Sequence, residues 1–277
     1  MDNAHFFDAK VGWVQIVDEV FWTHDGGDTW SRQPIPGRHS IPDVSSGVLM
    51  SVWFSRSGEV GWAAGGDFRW AEPGEEAPNY AVERDSSGRR AIERPAIYRT
   101  EDSGRSWQEQ TLPGPYRGYH ASLYVRDAQH ALAVTEEDTF YTRDGGRRWY
   151  KGQFGKGCTS SRFFTSDPGK IWTAHLLSKS EAWIAFSGGR LFHTLDGGGR
   201  WCELAPGIPG ARLDYLHFAS ATIGLSVNPF IALYETRDGG ETWTDLRTGP
   251  RVYSMFFLDA TDGWLVAREG LYRVTLR

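Results

Sequence analysis

Cysteine is nearly absent from this sequence: Cys158 and Cys202 are the only two in 277 residues. They are too few for a disulfide scaffold and lack zinc-ligand spacing, so one structural disulfide is the most they can form. Runs with apolar residues at i, i+3, i+4 and i+7 are almost missing, which argues against long helices. No apolar stretch approaches the ~20 residues of a membrane span. No secretory h-region precedes the first strand, so the protein is either cytoplasmic or exported with its signal removed. A basic surplus is lacking too. Thirty Lys and Arg against 35 Asp and Glu leave a net charge of −5, the wrong sign for a general nucleic-acid binder. No block of like charges and no low-complexity tract interrupts a composition typical of globular chains.

Tryptophan and glycine are plentiful, with 13 and 33 residues. Short Val, Ile, Phe, Tyr and Trp runs separated by Asp-Gly, Gly-Gly and Pro-Gly predict many short strands. Internal repeats decide what those strands build. Five octapeptides match Thr-x-Asp-x-Gly-x-x-Trp: Thr23 to Trp30, Thr100 to Trp107, Thr142 to Trp149, Thr194 to Trp201 and Thr236 to Trp243. Their aspartates, Asp25, Asp102, Asp144, Asp196 and Asp238, lie 77, 42, 52 and 42 residues apart. A looser element precedes each box: an aromatic strand end, a short turn, then a Gly-Trp-like pair. Phe6 to Trp13 and Phe256 to Trp264 are its clearest copies, and Gly61-Trp62, Ala131-Leu132, Ala182-Trp183 and Gly224-Leu225 mark the others.

Each unit therefore reads as four strands, A to D, with the box in the C–D hairpin. Repeated six times, this predicts an all-β chain, a six-bladed β-propeller of four-stranded antiparallel blades occupying residues 1–277 as a single domain. Blade six stops at strand C, which leaves either a three-stranded last blade or ends trimmed from a longer chain. Within a box, the Asp carboxylate accepts backbone N–H bonds of its own turn. Gly supplies the positive φ that other residues resist, and Trp30, Trp107, Trp149, Trp201 and Trp243 are expected to pack between sheets. The alternating ligands and terminal Glu of a calcium loop are missing, so no metal and no cofactor is expected.

These boxes resemble the BNR or Asp-box repeat of sialidases and other glycan-active propellers. The complete unit, Phe-x-Asp-x-x-x-Gly-Trp followed by a box, is most similar to the photosystem II assembly and stability factor family. The resemblance covers nearly the whole chain except an insertion at about residues 66–96. It implies a propeller whose basic patch contacts a client protein.

Binding residues concentrate on loops held by a rigid scaffold, which directs attention to the D–A and B–C connections rather than to the stereotyped boxes. Residues 34–47, 113–120 and 150–169 are long D–A connections, and 66–96 is a long B–C insertion carrying Arg69 and Trp70. Lys170, Arg212 and Arg251 occupy equivalent positions ahead of strand A, with Arg38 and Arg117 in neighbouring loops. Together they would form a cationic mouth suited to a carboxylate, a phosphate or an acidic peptide, set against ordinary surface charge balanced by Glu136, Glu137 and Asp138.

Catalysis finds weaker support. Arg251-Val-Tyr253-Ser254 is similar to the Tyr-Ser strand of sialidases, but no Arg-Ile-Pro motif occurs, and Asn228-Pro229-Phe230 stands where another Arg belongs. Glycosidases usually need two facing carboxylates. Asp43, Glu72, Glu136, Asp214 and Glu269 are the candidates, and His39, His120 or Tyr119 would serve a lyase. Gly155 to Ser161 lacks the spacing of a phosphate loop. The reading is a monomeric, non-enzymatic propeller recognising a protein or peptide on its loop face. The alternative is a glycoside hydrolase, polysaccharide lyase or lectin using the same face for a glycan.

Overall fold

A computed structural model of the protein describes residues 4–16, 19–33, 49–70, 88, 91–115, 118–155, 158, 169–204, 213–228, 232–246, 252–257 and 261–276. These form six sheets in chain order, the blades of a six-bladed β-propeller. Blade one holds β1 (Ala4–Phe6), β2 (Gly12–Ile16), β3 (Glu19–Thr23) and β4 (Ser31–Gln33). Blade two holds β5 (Leu49–Phe54), β6 (Gly61–Trp70), β7 (Ala91–Thr100) and β8 (Gln108–Glu109). Blade three holds β9 (Ser122–Val125), β10 (Ala131–Val134), β11 (Thr139–Thr142) and β12 (Tyr150–Lys151). After β13 (Gln153–Phe154), blade four runs through β14 (Ile171–Leu176), β15 (Ala182–Phe186), β16 (Leu191–Thr194) and β17 (Arg200–Glu203). Blade five holds β18 (Tyr215–Phe218), β19 (Gly224–Asn228), β20 (Ala232–Thr236) and β21 (Thr244–Asp245). Blade six holds β22 (Val252–Phe257), β23 (Asp262–Ala267) and β24 (Gly270–Thr275).

By internal contacts the chain divides into two compact units, Met1–Glu136 with Thr142–Trp149, and Glu137–Tyr141 with Tyr150–Arg277.

The blades depart from strict four-strand repetition in two places. Among the described residues blade six has three strands. Blade four has five, because β13 joins β17 in parallel, pairing Gln153 with Arg200 and Phe154 with Trp201. Phe154 anchors this added strand against Phe186, Phe192 and Trp201 at ring distances of 5.5 to 6.4 Å. A disulfide between Cys158 and Cys202 then ties the same connection to β17. The 66–96 insertion also begins and ends as regular sheet: β6 and β7 pair from Gly61 with Thr100 out to Trp70 with Ala91.

Each box is a closed set of hydrogen bonds. In the first, the Thr29 N–H and hydroxyl donate to the two carboxylate oxygens of Asp25 at 2.9 and 2.6 Å, and the Thr23 hydroxyl donates at 2.8 Å. Buried Thr23 Oγ1 in turn accepts the Gly27 N–H at 2.8 Å. The Thr-to-Asp and Gly-to-Thr bonds recur in all five boxes. The neighbouring turn, A–B, is closed by a side-chain acceptor: Asp8 and Asp127, or Ser178 and Ser220. The two turns are bonded together, as Gly26 N–H donates to Lys10 O, Gly145 to Gln129, Gly197 to Ser180 and Gly239 to Thr222. In box two Ser103 fills the Gly role with φ of 63° and donates to Glu59 O.

The box tryptophans split by position. Trp149 and Trp201 are buried, whereas Trp30 is 41% exposed and touches Phe6 of its own blade. Trp107 of blade two, by contrast, joins the cluster of Trp13, Trp22 and Phe54 that spans blades one and two.

The boxes make a pH prediction. Hydroxyl and N–H bonds from Thr29, then the Thr23 hydroxyl, hold Asp25 at about 2. Ser106 and Thr100 do the same for Asp102, also at about 2. A carboxylate depressed in the folded state contributes stability above its unfolded value of about 3.9, and loses it as pH falls through the folded value. Asp102→Asn should therefore lower the melting temperature at pH 5 to 7, with the difference from wild type shrinking between pH 4 and 2. Burial lowers the pKa of His5 and His193. They add a decline that sets in below about 6.5, common to both proteins and cancelling in the comparison. A difference that persists undiminished at pH 2 would show that the carboxylate charge is not what Asp102 contributes.

Candidate partner-binding face

The bonded A–B and C–D turns occupy one end of each blade, so antiparallel alternation puts the B–C and D–A connections at the other. Backbone pairing marks that second end. In blade four the Ser187 N–H donates to Lys170 O at 2.8 Å, and the Lys170 N–H donates to Ser187 Oγ at 3.0 Å. In blade three a Cβ at Gly118 would lie 2.9 Å from the Glu136 nitrogen, so the lead-in carrying Tyr119 and His120 crosses directly over the B–C turn.

Three first strands share an irregularity here. Pairing shifts register between Leu49 and Ser51 in β5, between Ile171 and Thr173 in β14, and between Val252 and Ser254 in β22. Such bulges re-aim a side chain out of the alternation and are common beside functional sites. The residues at the shifts are Met50, Trp172 and Tyr253. Trp172 is 42% exposed although the residues flanking it, Ile171 and Thr173, are buried. Its indole N–H donates to the Asp214 carboxylate. Asp214 is held by its own N–H, which donates to Val227 O at 3.1 Å, and follows buried Leu213. Lys170, exposed, lies two residues before Trp172. The second unit thus presents a fixed aromatic ring, a carboxylate and an ammonium at the loop ends of blades four and five, with half-buried Tyr253 at that of blade six.

Of the residues singled out from sequence, Lys170, Trp70 and Tyr253 are placed at loop ends. Arg38, Arg117, Arg212 and Arg251 lie outside the described residues, as do Asp43, Glu72 and His39. Arg69 belongs to β6, but its side chain is outside the description. Sequence reasoning missed Trp172 as a surface residue, because a one-residue bulge leaves no local signal.

It also missed the network that carries the extended β6–β7 hairpin. Arg94 pairs with Glu109, and with Asp67 at 3.1 Å, while the Tyr98 hydroxyl donates to Asp67 at 3.2 Å. Burial, with the Asp67 carboxylate alongside, raises the Tyr98 pKa. Among the described residues no three His, Cys, Asp or Glu side chains gather closely enough to hold a metal ion.

No family model matches the chain. The photosystem II assembly protein Ycf48 of Thermosynechococcus vestitus is 26% identical over 187 residues, 64% of this chain and 50% of that protein. The chain resembles the Ycf48 assembly proteins. The photosystem II assembly lipoprotein Ycf48 of a Synechococcus strain is 25% identical over 185 residues, 64% of this chain and 52% of its own length. The chain thus spans about half the length of the curated relatives it matches. Among solved structures, an ancestral GH74 enzyme superposes with a TM-score of 0.62 at 11% identity, covering 98% of this chain and 36% of its own. That match shows the propeller fold alone. The structure of YCF48 bound to D1 peptide covers 99% of this chain and 91% of its own, at 17% identity and a TM-score of 0.44, too loose a fit to compare residues.

Proposed function

We propose that the chain is a protein-binding propeller that takes a polypeptide segment of a partner on its loop face, with Trp172, Lys170, Asp214 and Tyr253 in contact. The observation that carries this reading is the bulge in β14, which turns Trp172 outward where the Asp214 carboxylate fixes its ring. An exposed, pre-oriented tryptophan suits a binding hot spot, since such residues supply large contact area at small entropic cost. The relatives named as assembly proteins support a protein as the partner rather than a small substrate. Arg212 and Arg251, which precede β18 and β22 in the sequence, belong to the same proposal as its cationic component.

The test screens a displayed library of 12-residue peptides and a glycan panel in parallel against wild type and Trp172→Ala. Peptides should be recovered, and their affinity should fall at least tenfold, about 1.4 kcal/mol, in the variant. Glycan binding or sugar turnover, with no peptide recovered, would reverse the reading in favour of the carbohydrate-active alternative.

A further inference from the structure

The disulfide stands at the far end of a chain of contacts that leads into the loop face. Cys202 is followed by Glu203, the last residue of β17. The Glu203 carboxylate accepts hydrogen bonds from Nε and Nη2 of Arg190 at 2.7 and 2.8 Å, a two-point grip that fixes direction as well as distance. Arg190 in turn closes the B–C turn of blade four. Its carbonyl accepts the Phe186 N–H at 2.9 Å, and the Gly189 N–H donates to Phe186 O at 3.2 Å. Within that turn Ser187 makes the two bonds to Lys170 that set the entry to β14, just ahead of Trp172. Every link lies in the second unit.

The Cys158–Cys202 bond can open without loss of the blade. Main-chain bonds from Gln153 and Gly155 hold the added strand to β17, and Phe154 packs beside Trp201. Both cysteines are half-buried, within reach of a small thiol, and access is one of the factors that set the rate of exchange. What depends on the bond is the end of β17. Cys202 and Glu203 pair with His193 and Phe192 on one side, and Cys158 supplies their tie on the other. Strand ends held on one side only are among the first parts of a sheet to open.

We propose that this disulfide is a redox control on the loop face. Oxidised, it keeps Glu203, Arg190 and the turn in place behind Lys170 and Trp172; reduced, it releases them and weakens the hold on a partner polypeptide. The control rests on that face taking a partner, as proposed above. The step is an exchange with a dithiol reductant. One reductant thiolate attacks a cysteine sulfur, the S–S bond breaks, and the other cysteine leaves as a thiolate. The second reductant thiolate then displaces the first cysteine. Two electrons and two protons pass to the cysteines, and the reductant departs as its own disulfide. Order lost behind the site must be restored when the partner binds, which lowers affinity.

The probes are peptides recovered from the 12-residue library on the oxidised protein. They are titrated against oxidised wild type, dithiothreitol-treated wild type and Cys158→Ser/Cys202→Ser, with amide exchange followed at Lys170, Ser187 and Arg190. Reduction should weaken binding about fivefold, the lower end of typical coupling between two sites, and quicken exchange at all three residues. The double variant should match the reduced protein with or without dithiothreitol. Arg190→Met keeps an apolar stem over the Phe192 ring but loses the grip on Glu203, so it should bind at the reduced level in both states. Equal affinity in the oxidised and reduced proteins, unchanged exchange at Lys170 and Ser187, or an Arg190→Met variant that still responds to dithiothreitol would overturn the control and leave the loop-face reading standing. Recovery of no peptide would sink that reading, and the control with it.

Discussion

Replacing Trp183 with alanine should destabilise the protein by about 4 kcal/mol, near the upper end for a truncated core aromatic. Trp183 is 0% exposed. Its ring is sandwiched between His193 of the same blade, at 4.5 Å, and Phe218 of the next, at 3.7 Å and an interplanar angle of 6°. Its indole N–H donates to Gly239 O, in the box of blade five, at 2.9 Å. Truncation therefore removes apolar burial, aromatic contact and a hydrogen bond that joins two blades, and leaves a half-buried carbonyl without that donor. Trp264 supplies the control. It fills the same Gly-Trp position in blade six but is only partly buried, so Trp264→Ala should cost about 1 to 2 kcal/mol. Urea denaturation followed by far-UV circular dichroism compares the two, and equal losses would refute the claim that inter-blade packing, not motif identity, sets the energy.

That contrast also explains what could be read from sequence. The box was legible because its chemistry closes within eight residues: Thr23, Asp25, Gly27 and Thr29 satisfy one another without reference to the rest of the chain. Copies of so local a device can be counted: five boxes mark five blades, and the Gly263-Trp264 copy of the looser element marks the sixth. The A–B turn was nearly as legible, since Asp8 bonds the N–H groups of Lys10 and Val11. What escaped were pairings made at a distance. Nothing in Gln153-Phe154 announces a parallel partner at Arg200-Trp201, and blade four was expected to hold four strands. Asp67 and Arg94 meet across 27 residues of sequence, which turned the ends of an expected loop into a ladder. At the candidate site the bulge at Trp172 depends on how Ile171 and Thr173 face Phe186 and Ala185 across the sheet. A strand of alternating residues in the sequence is silent on that slip.

The disulfide was left open by sequence, and it carries the second large effect. Cys158 and Cys202, with Cα atoms 5.6 Å apart, close a loop of 44 residues that contains β14, β15 and β16. Chain-entropy reasoning for a loop of that length gives about 4 kcal/mol, and measured values usually fall somewhat below it, so about 3 kcal/mol is expected. The bond does not act alone. Gln153 N–H to Gly199 O and Gly155 N–H to Trp201 O, both 2.9 Å, already hold the connection against β17, and Phe154 stays packed without the sulfurs. Cys158→Ser/Cys202→Ser should therefore keep the fold while shifting its denaturation midpoint, and dithiothreitol-treated wild type should coincide with it. Hydrogen exchange should quicken first at residues 153–155 and 200–203, the strands the bond fastens, and least in blades one and two. Coincident midpoints for oxidised and reduced wild type would mean that the parallel strand and its aromatic anchor suffice. A midpoint shift accompanied by loss of blade-four protection as a whole would mean that the disulfide holds the blade closed.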